Sequence, residues 1–347
     1  MPVTVVVGGQ YGSEGKGKVA HYLARQLEVS IAVRVGGPNS GHTVIDSSKT
    51  PIIFQHLPTA ALLPNVVCVL PAGSYIDPDI LLGEIKHLNL SRGRIIVDQN
   101  AVVIQENDAN AERRDLLRKH IGSTETGVGA ALIRRIQRRD TKLLARDEPR
   151  LAPYIADALP LLRASLKRNE RILIEGTQGY GLSLLHAHDF PYVTSRDTTA
   201  AGFLSEVGLS PLDVEHVVLV LRSFPIRVAG NSGPLPNEIS WATITKESRC
   251  CTEIIEHTSV TKAIRRVARF SPGIVRRAIA ANHPSLLVLN HIDYVDSGCG
   301  TRTHLSERAL QFTRAVEAEI GRAIDYFGLS PDSILHRSEL FEEKVSV

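Results

Sequence analysis

The chain has 347 residues, of which 43% are apolar and 22% are charged, and its formal net charge is +3. This length allows a large buried core, and so small a net charge gives no bulk attraction to nucleic acid. The sequence starts without the basic and long apolar segments of a signal peptide, and no run approaches the roughly 20 apolar residues of a membrane helix. Its four cysteines lack the C-x-x-C spacing of redox or metal motifs. We therefore expect a cytoplasmic protein that binds neither nucleic acid nor a membrane.

Short runs of β-branched and other apolar residues recur along the chain and predict buried strands. They cover residues 3–7, 31–35, 66–70, 94–97, 172–174, 217–221 and 286–289. Helical periodicity between several of them predicts helices over residues 78–87, 152–166 and 306–326. Buried strands that alternate with helices indicate an α/β fold with a mostly parallel central sheet and ligands at the carboxyl ends of its strands. No linker or repeat divides the sequence, so residues 1–347 are predicted to form a single domain with inserted loops and helical subregions.

A glycine-rich stretch joins the first predicted strand to a helical pattern. Residues 8–18 read Gly-Gly-Gln-Tyr-Gly-Ser-Glu-Gly-Lys-Gly-Lys. A strand, a glycine-rich turn and a helix start together aim backbone N–H groups and a positive helix end at phosphate. The stretch is not a standard P-loop, because Gln10 stands where the first glycine of G-x-x-x-x-G-K belongs. It therefore predicts a P-loop-like phosphate site.

This stretch resembles the signature loop of the adenylosuccinate synthetases, Gln-Trp-Gly-Asp-Glu-Gly-Lys-Gly-Lys, and departs from it twice. Tyr11 replaces the Trp, and Ser13 replaces the catalytic Asp. The second departure is similar to the phage branch of the family, which makes N6-succino-2-amino-2'-deoxyadenylate from dGMP for 2-aminoadenine DNA. The resemblance runs from residue 3 to about residue 332. It implies the fold of that family, with its GTPase-related nucleotide site, and the host cytoplasm as location if the chain is phage-encoded.

Five further clusters carry the resemblance, which implies the roles of their residues. His42, in the segment Gly-Gly-Pro-Asn-Ser-Gly-His-Thr, corresponds to a general acid that stabilises the departing γ-phosphoryl group. Gln178 corresponds to the side chain over the 6-oxygen of the purine. The expected catalytic residues are Ser13, Lys16, His42 and Gln178. Mg²⁺ is the expected cofactor, and its expected ligands are Ser13 and the carbonyl of Gly41.

The resemblance also implies a site for the purine monophosphate. The hydroxyls of Ser123 and Thr124 correspond to the cradle of the 5'-phosphate. Arg138 corresponds to a phosphate-binding arginine supplied to the neighbouring subunit, which implies a homodimer. The expected contacts of dGMP are Ser13, Asn39, Ser123, Thr124, Arg138, Gln178, Thr194 and Val228.

Sites for the phosphate donor and for L-aspartate follow from the same resemblance. The expected donor contacts are Gly12, Glu14, Gly15, Lys16, Gly17, Lys18, Gly41, His42, Thr43, Asn290, Asp293, Ser330 and Pro331. His291 replaces a lysine of the guanine pocket, so ATP or dATP is expected ahead of GTP. The expected aspartate contacts are Thr258, Ser259, Val260, Thr261 and Arg265. Ala263 falls where the family has an arginine that reaches the ribose 2'-hydroxyl, which favours a deoxynucleotide.

Ser13 bears most directly on the substrate. In the family the Asp accepts the N1 proton of IMP, whereas a serine is not a base near neutral pH. Its shorter hydroxyl leaves room for the 2-amino group of guanine, and Lys16 would stabilise the 6-oxyanion. Glu14, a water molecule or the phosphate itself could accept the N1 proton. We expect ATP-dependent ligation of L-aspartate to C6 of dGMP; the alternatives are an ordinary adenylosuccinate synthetase using IMP and GTP, and a nucleotide-binding regulator without catalysis.

Overall fold

The computed structural model describes residues 2–258, 262–301 and 304–340. The strands are β1 (Val3–Gly8), β2 (Ile31–Arg34), β3 (His42–Ile45), β4 (Pro51–Phe54), β5 (Val67–Leu70), β6 (Tyr75–Ile76), β7 (Ile95–Asp98), β8 (Val102–Val103), β9 (Ile155–Ala156), β10 (Ile172–Glu175), β11 (Val214–Arg222), β12 (Ile226–Arg227), β13 (Glu238–Ile239), β14 (Arg266–Ala268), β15 (Leu286–Asn290), β16 (Tyr326–Ser330) and β17 (Ser333–His336). The α-helices are α1 (Lys16–Gln26), α2 (Pro78–His87), α3 (Glu106–Arg114), α4 (Leu117–Ile121), α5 (Val128–Gln137), α6 (Ala158–Lys167), α7 (Ala200–Val207), α8 (Trp241–Ser248), α9 (Pro272–Asn282) and α10 (Glu307–Ile320).

A ten-stranded sheet forms the centre of the molecule, in the order β17-β16-β15-β11-β1-β10-β2-β5-β7-β9. All of its neighbouring strands run parallel except the edge pair β16 and β17, which is antiparallel. Three smaller sheets, β12-β14-β13, β3-β4 and β6-β8, are attached to it. The α/β fold and the mostly parallel sheet predicted from the sequence are therefore confirmed. The single-domain organisation stays a prediction.

The central strands are buried on both faces, as expected of a parallel sheet covered by helices. Every residue of β1, β2 and β10 is buried. Four strands in the middle of the sheet, β2, β10, β11 and β15, each end in a polar side chain that is also buried: Arg34, Glu175, Arg222 and Asn290. Because the carboxyl ends of parallel strands meet at one edge of the sheet, these four side chains lie close together at that edge. Ligands of open α/β sheets bind at the same edge.

Two predicted helices differ from the observed ones at their ends. The helix predicted over 152–166 begins later, as α6, because the Asp157 carboxylate caps it by accepting from the N–H of Leu159. The helix predicted over 306–326 ends at Ile320, where Gly321 takes the left-handed conformation with φ of 70°. The helix predicted over 78–87 is confirmed as α2. Within the described ranges, no helix is long and apolar enough to cross a membrane.

Candidate active site

A cleft with a volume of about 820 Å³ lies over the loops that follow β1, β2, β10, β12 and β15. It brings together residues that are far apart in the sequence. The predicted site residues that line it are Gly12, Ser13, Gly15, Lys16, Gly17, Asn39, Gly41, His42, Thr43, Ser123, Thr124, Gln178, Thr194, Val228, Thr258 and Arg265. This arrangement is consistent with a single site built from the glycine-rich stretch of residues 8–18 and the further clusters that carry the resemblance.

The glycine-rich loop after β1 is folded around the side chain of Glu14. This carboxylate is fully buried and accepts hydrogen bonds from the N–H groups of Gln10 at 3.0 Å and Gly12 at 2.8 Å. It also pairs with the Lys16 ammonium at 2.6 Å. The Glu14 side chain therefore holds the loop from within. Glu14 does not line the cleft, although the resemblance implied a contact with the phosphate donor. Both of its carboxylate oxygens already have partners within the loop and are therefore unavailable to take the N1 proton.

Ser13 stands at the exposed tip of this loop. Its φ of 56° is left-handed, and its neighbours Gly12 and Gly15 also have positive φ values. The carbonyl of Ser13 accepts a hydrogen bond of 2.9 Å from the fully buried guanidinium of Arg222. Arg222 in turn pairs with Glu256. Arg222 thus holds the backbone of Ser13 from beneath the loop, and Ser13 itself lines the cleft.

His42 is held by a buried carboxylate. Its Nδ1 lies 2.5 Å from Oε1 of Glu175, which also accepts from Arg34 at 2.7 Å. The other oxygen of Glu175 accepts from both the backbone N–H and the hydroxyl of Thr59. Burial, followed by the charges of Arg34 and Lys16, lowers the pKa of His42 to about 3. Burial therefore favours the neutral imidazole in the unliganded protein, and the role of His42 as a general acid at the departing phosphoryl group stays a prediction.

Glu175 and Arg34 were given no role by the sequence analysis, although the sequence carries a signal for both. Each is the charged last residue of an apolar run that forms a buried strand. The two strands are neighbours, and Arg34 is the register partner of Glu175. A charged residue at the end of a buried parallel strand faces either a partner or a ligand, since an unpaired buried charge is costly.

The side chains expected near the purine base and the 5'-phosphate form a second part of the cleft. The amide of Gln178, a residue with φ of 62°, donates to the Thr194 hydroxyl at 2.8 Å. Ser123 and Thr124 lie in a turn in which the Ser123 hydroxyl accepts from the N–H of Glu125 at 3.1 Å. This hydroxyl cradle and the amide therefore face the same cavity.

Some predicted residues do not line the cleft. Arg138 follows α5, is exposed and donates to the carbonyl of Ile136. The amide of Asn290 is fully buried and donates to the backbone carbonyl of Glu14 at 2.8 Å, so it supports the loop from beneath. The remaining ones, all expected at the phosphate donor, are Lys18, Asp293, Ser330 and Pro331. Three aspartate contacts, Ser259, Val260 and Thr261, lie outside the described residues.

The remaining donor residues form a group next to α1. The Lys18 ammonium donates to the Ser330 carbonyl at 2.9 Å. Burial lowers the pKa of Lys18, and the nearby charges of Asp293 and Asp332 oppose this shift. Burial also raises the pKa of Asp293. The expected donor residues are thus divided among the cleft, the buried pair Glu14 and Asn290 that supports the loop, and this adjoining, partly exposed group.

Comparison with known proteins agrees with this geometry. The family model described as adenylosuccinate synthetase matches residues 5–147 and 141–299. The chain belongs to the adenylosuccinate synthetase family. It is therefore a carbon–nitrogen ligase of the adenylosuccinate synthetase type, and the cleft is the site where this family's chemistry is to be sought.

Relatives in the family match nearly the whole chain. The adenylosuccinate synthetase of Methanococcus aeolicus is 35% identical over 347 residues, which cover 97% of this chain and 99% of that one. That of Methanocaldococcus jannaschii is 36% identical over 337 residues and covers 95% and 94%. Both are archaeal proteins, and both carry the name of the ordinary synthetase.

Two solved structures share the fold of this adenylosuccinate synthetase family member. The succinoaminodeoxyadenylate synthetase of cyanophage S-2L, solved with dGMP and with dATP as an energy donor, has a TM-score of 0.82 and 31% identity. The match covers 96% of this chain and 95% of that one. The fully ligated adenylosuccinate synthetase of Plasmodium falciparum has a TM-score of 0.85 over 97% of this chain and 100% of its own, at 20% identity, and supports the fold alone.

Proposed function

We propose that this ligase joins L-aspartate to C6 of dGMP and so makes N6-succino-2-amino-2'-deoxyadenylate, the precursor of a 2-aminoadenine nucleotide. The observation that carries the proposal is the serine at the exposed tip of the loop, with the neighbouring carboxylate of Glu14 turned inward. The loop therefore presents a hydroxyl to the base and no carboxylate. A hydroxyl accepts a hydrogen bond from the 2-amino group of guanine and leaves room for it. The similarity to the cyanophage enzyme solved with dGMP supports the same branch.

The proposed reaction has two steps. The γ-phosphoryl group of ATP or dATP passes to the 6-oxygen of dGMP, while N1 loses its proton and ADP or dADP leaves. The amino group of L-aspartate then attacks C6, and the C–O bond breaks to release the 6-oxygen with phosphate. Lys16 and Gln178, which both line the cleft, are proposed to stabilise the charge that develops on the 6-oxygen and the transferred group.

His42 is proposed to act at the phosphate that leaves. Its Nδ1 is engaged by Glu175, so Nε2 is the ring nitrogen open to a ligand. A polyphosphate beside Nε2 brings negative charge, which favours the imidazolium and opposes the burial that keeps the free protein's imidazole neutral. The buried Glu175 carboxylate then stabilises the imidazolium from the other side. Protonation of His42 is thereby coupled to the arrival of the donor.

Mg²⁺ is proposed as the cofactor, and the oxygen atoms of the cleft suit it. The Ser13 hydroxyl and the Gly41 carbonyl both belong to residues that line the cleft, and hard oxygen ligands are those that Mg²⁺ prefers. Within the described part of the chain, no group of three or more His, Cys, Asp or Glu side chains could hold a metal. Ser13, Gly41 and the substrate phosphates would share the ion, which would neutralise phosphate charge.

The preference for deoxyribose is proposed to come from Ala263. Ala263 lines the cleft, and its side chain has no donor or acceptor for a 2'-hydroxyl. A ribonucleotide would then have to desolvate its 2'-hydroxyl against an apolar group without a compensating hydrogen bond. A 2'-deoxynucleotide avoids this cost.

A homodimer with Arg138 supplied to the neighbouring subunit is proposed as the working form. Arg138 follows α5, whose Ile133 and Ile136 side chains are 57% and 64% exposed. Exposed aliphatic side chains beside a cation are what a subunit contact would cover. A dimeric mass in solution, with loss of dimer in the double variant I133D/I136D, is the expected result.

The second candidate is an ordinary adenylosuccinate synthetase acting on IMP with GTP. The specific observation in its favour is the 35–36% identity to archaeal proteins that carry that name. Against it stand Ser13, which lacks the carboxylate that accepts the N1 proton of IMP, and His291 in place of the guanine-pocket lysine.

One assay separates the candidates. Purified protein with Mg²⁺ and L-aspartate is offered dGMP, GMP or IMP together with ATP, dATP or GTP, and phosphate release and product mass are followed. We expect aspartate-dependent turnover of dGMP, with ATP or dATP as donor. Turnover restricted to IMP would overturn the proposal in favour of the ordinary synthetase, and nucleotide binding without turnover would indicate a regulator.

A further inference from the structure

Arg222, the last residue of β11, places a cation beneath the glycine-rich loop. Its side chain is fully buried and is among the largest that are. Two hydrogen bonds tie its backbone to the side chain of Gln10. The Gln10 amide donates to the Arg222 carbonyl at 3.1 Å, and the Arg222 N–H donates to the Gln10 amide oxygen at 2.9 Å. Because Gln10 is also fully buried, the guanidinium starts from a fixed point under the loop.

The guanidinium of Arg222 joins the loop to a carboxylate. Its Nη1 donates to the Ser13 carbonyl at 2.9 Å, and its Nη2 donates to Glu256 at 2.5 Å. The two nitrogens belong to one planar fork, so the direction of the ion pair also fixes the direction of the hydrogen bond to Ser13. Glu256 supplies the opposite charge, and the contact with Ser13 is therefore chiefly a matter of geometry.

Ser13 depends on this contact more than its neighbours do. The N–H of Gly12 donates to the Glu14 carboxylate at 2.8 Å, and the carbonyl of Glu14 accepts from Asn290 at 2.8 Å. Within the described ranges, the hydrogen bond from Arg222 is the only one that Ser13 makes. The Ser13 hydroxyl is thus left for a ligand, and its position follows from the backbone alone.

The backbone conformation of Ser13 is one that needs support. Its φ of 56° is in the left-handed region, which is uncommon for a residue with a Cβ atom. Such a conformation persists where the surrounding contacts hold it. Rotation of the Ser13 peptide would carry the hydroxyl with it, so the hydrogen bond from Arg222 determines where the hydroxyl stands in the cleft.

We propose that Arg222 is a positioning residue for base selection, which holds the Ser13 carbonyl and so places the Ser13 hydroxyl against the 2-amino group of a purine. The inference rests on the proposed function for the identity of the base. The preference for a 2-amino purine then belongs to Ser13 and Arg222 together. A lysine in place of Arg222 has a single nitrogen and lacks the planar fork that holds the Ser13 carbonyl and Glu256 at once.

The test is a double-mutant cycle of R222K and S13A, read as the ratio of kcat/KM for dGMP to that for IMP. R222K keeps the positive charge and is expected to lower the ratio by about three- to tenfold, as for the loss of one hydrogen bond. In the S13A background the hydroxyl is absent, so R222K is expected to change the ratio by less than about twofold. Y294F is the matched control and is expected to keep the ratio, because the Tyr294 hydroxyl donates to the same Glu256 oxygen at 2.9 Å.

A second pair of variants serves if R222K does not fold. The double variant R222M/E256Q removes both charges of the buried pair and leaves neither without its partner. The single variant E256Q keeps the Arg222 side chain under the loop. The ratio is expected to be about three- to tenfold lower in R222M/E256Q than in E256Q. Thermal unfolding shows which variants are folded.

An unchanged ratio in folded R222K would overturn the inference, as would equal ratios in E256Q and R222M/E256Q. A ratio that R222K lowers by the same factor with and without the Ser13 hydroxyl would also overturn it, because the effect would then be a general distortion of the loop.

The ratio in the unaltered enzyme tests the proposed function separately. If that enzyme prefers IMP, the proposed function fails, and the cycle is read in kcat/KM for IMP. Additive effects of S13A and R222K would then overturn the positioning role of Arg222, and non-additive effects would support it.

Discussion

Glu175, the last residue of β10 in the central sheet, fixes the imidazole of His42 on β3, with 2.5 Å between its Oε1 and the histidine Nδ1. The carboxylate is fully buried and is held in turn by Arg34 and Thr59. This contact sets which ring nitrogen can meet a ligand, because only Nε2 remains. It also links the orientation of the imidazole to the packing of the sheet edge.

The variant H42N distinguishes the roles of the two ring nitrogens of His42. The amide of H42N is placed to keep the hydrogen bond to Glu175 but has no atom in the place of Nε2. We expect H42N to fold normally and to lose about 10²–10⁴-fold in kcat, the usual contribution of a general acid. Steady-state rates at saturating substrates check this. A loss of less than about tenfold in a folded H42N variant would show that Nε2 does not act on the donor.

The inward-facing Glu14 predicts that the loop depends on this carboxylate for its shape. Removing one partner of a buried ion pair strands the other, so E14A is expected to lower the free energy of unfolding by about 3–5 kcal/mol. E215A is a suitable control, since Glu215 belongs to a partly exposed pair with Arg171. The control is expected to cost less than about 1 kcal/mol. Urea denaturation measures both, and equal losses would mean that Glu14 does not anchor the loop.

Ser13 is predicted to set the choice of base. A carboxylate at this position would crowd the 2-amino group of guanine and restore an acceptor for the N1 proton of IMP. The variant S13D is therefore expected to lose activity with dGMP and to gain activity with IMP. The matched variant S13A removes the hydroxyl without adding bulk or charge and is expected to weaken dGMP binding without a gain of activity with IMP. A variant S13D that still prefers dGMP as strongly as the unaltered enzyme would be inconsistent with this role.

His56 predicts a dependence of stability on pH. It is fully buried, its Nε2 accepts from the N–H of Asp77, and burial followed by the charge of Arg34 lowers its pKa to about 3. The unfolded chain takes up a proton at this histidine below about pH 6.5, and the folded chain does so only near pH 3. The stabilising effect of neutral His56 is thus complete above pH 6.5 and is lost as the pH falls through this window.

The variant H56Q isolates this contribution, because all other titrating groups are common to both proteins. Between pH 6 and pH 4, the free energy of unfolding of the unaltered protein is expected to fall more steeply, by up to about 1.4 kcal/mol per pH unit. Urea denaturation at several pH values gives the two curves. Parallel curves would show that His56 has an ordinary pKa in the folded protein.

The sequence was sufficient for the features that depend on local pattern. Continuous β-branched runs predicted the buried parallel strands, and the glycines of residues 8–18 predicted the turn before α1. The direction of the Glu14 side chain was not predictable, because it depends on hydrogen bonds that form only once the loop has closed on itself. The pairing of Glu175 with His42 likewise required the order of the strands, which periodicity within one segment does not contain.

The helix ends show the same division between local and tertiary information. The left-handed glycine at position 321 and the capping Asp157 are local signals that outweigh the apolar periodicity on either side of them. The burial of Asn290 beneath the loop, by contrast, is a tertiary result of β15 lying two strands from β1.

The ratio of kcat/KM for dGMP to that for IMP, measured on one preparation with Mg²⁺, saturating dATP and L-aspartate, tests the central claim most directly. A hydroxyl at position 13 that accepts from the 2-amino group predicts a ratio of at least about tenfold in favour of dGMP, because IMP lacks that hydrogen bond. A ratio at or below one would contradict the account and identify the chain as an ordinary adenylosuccinate synthetase.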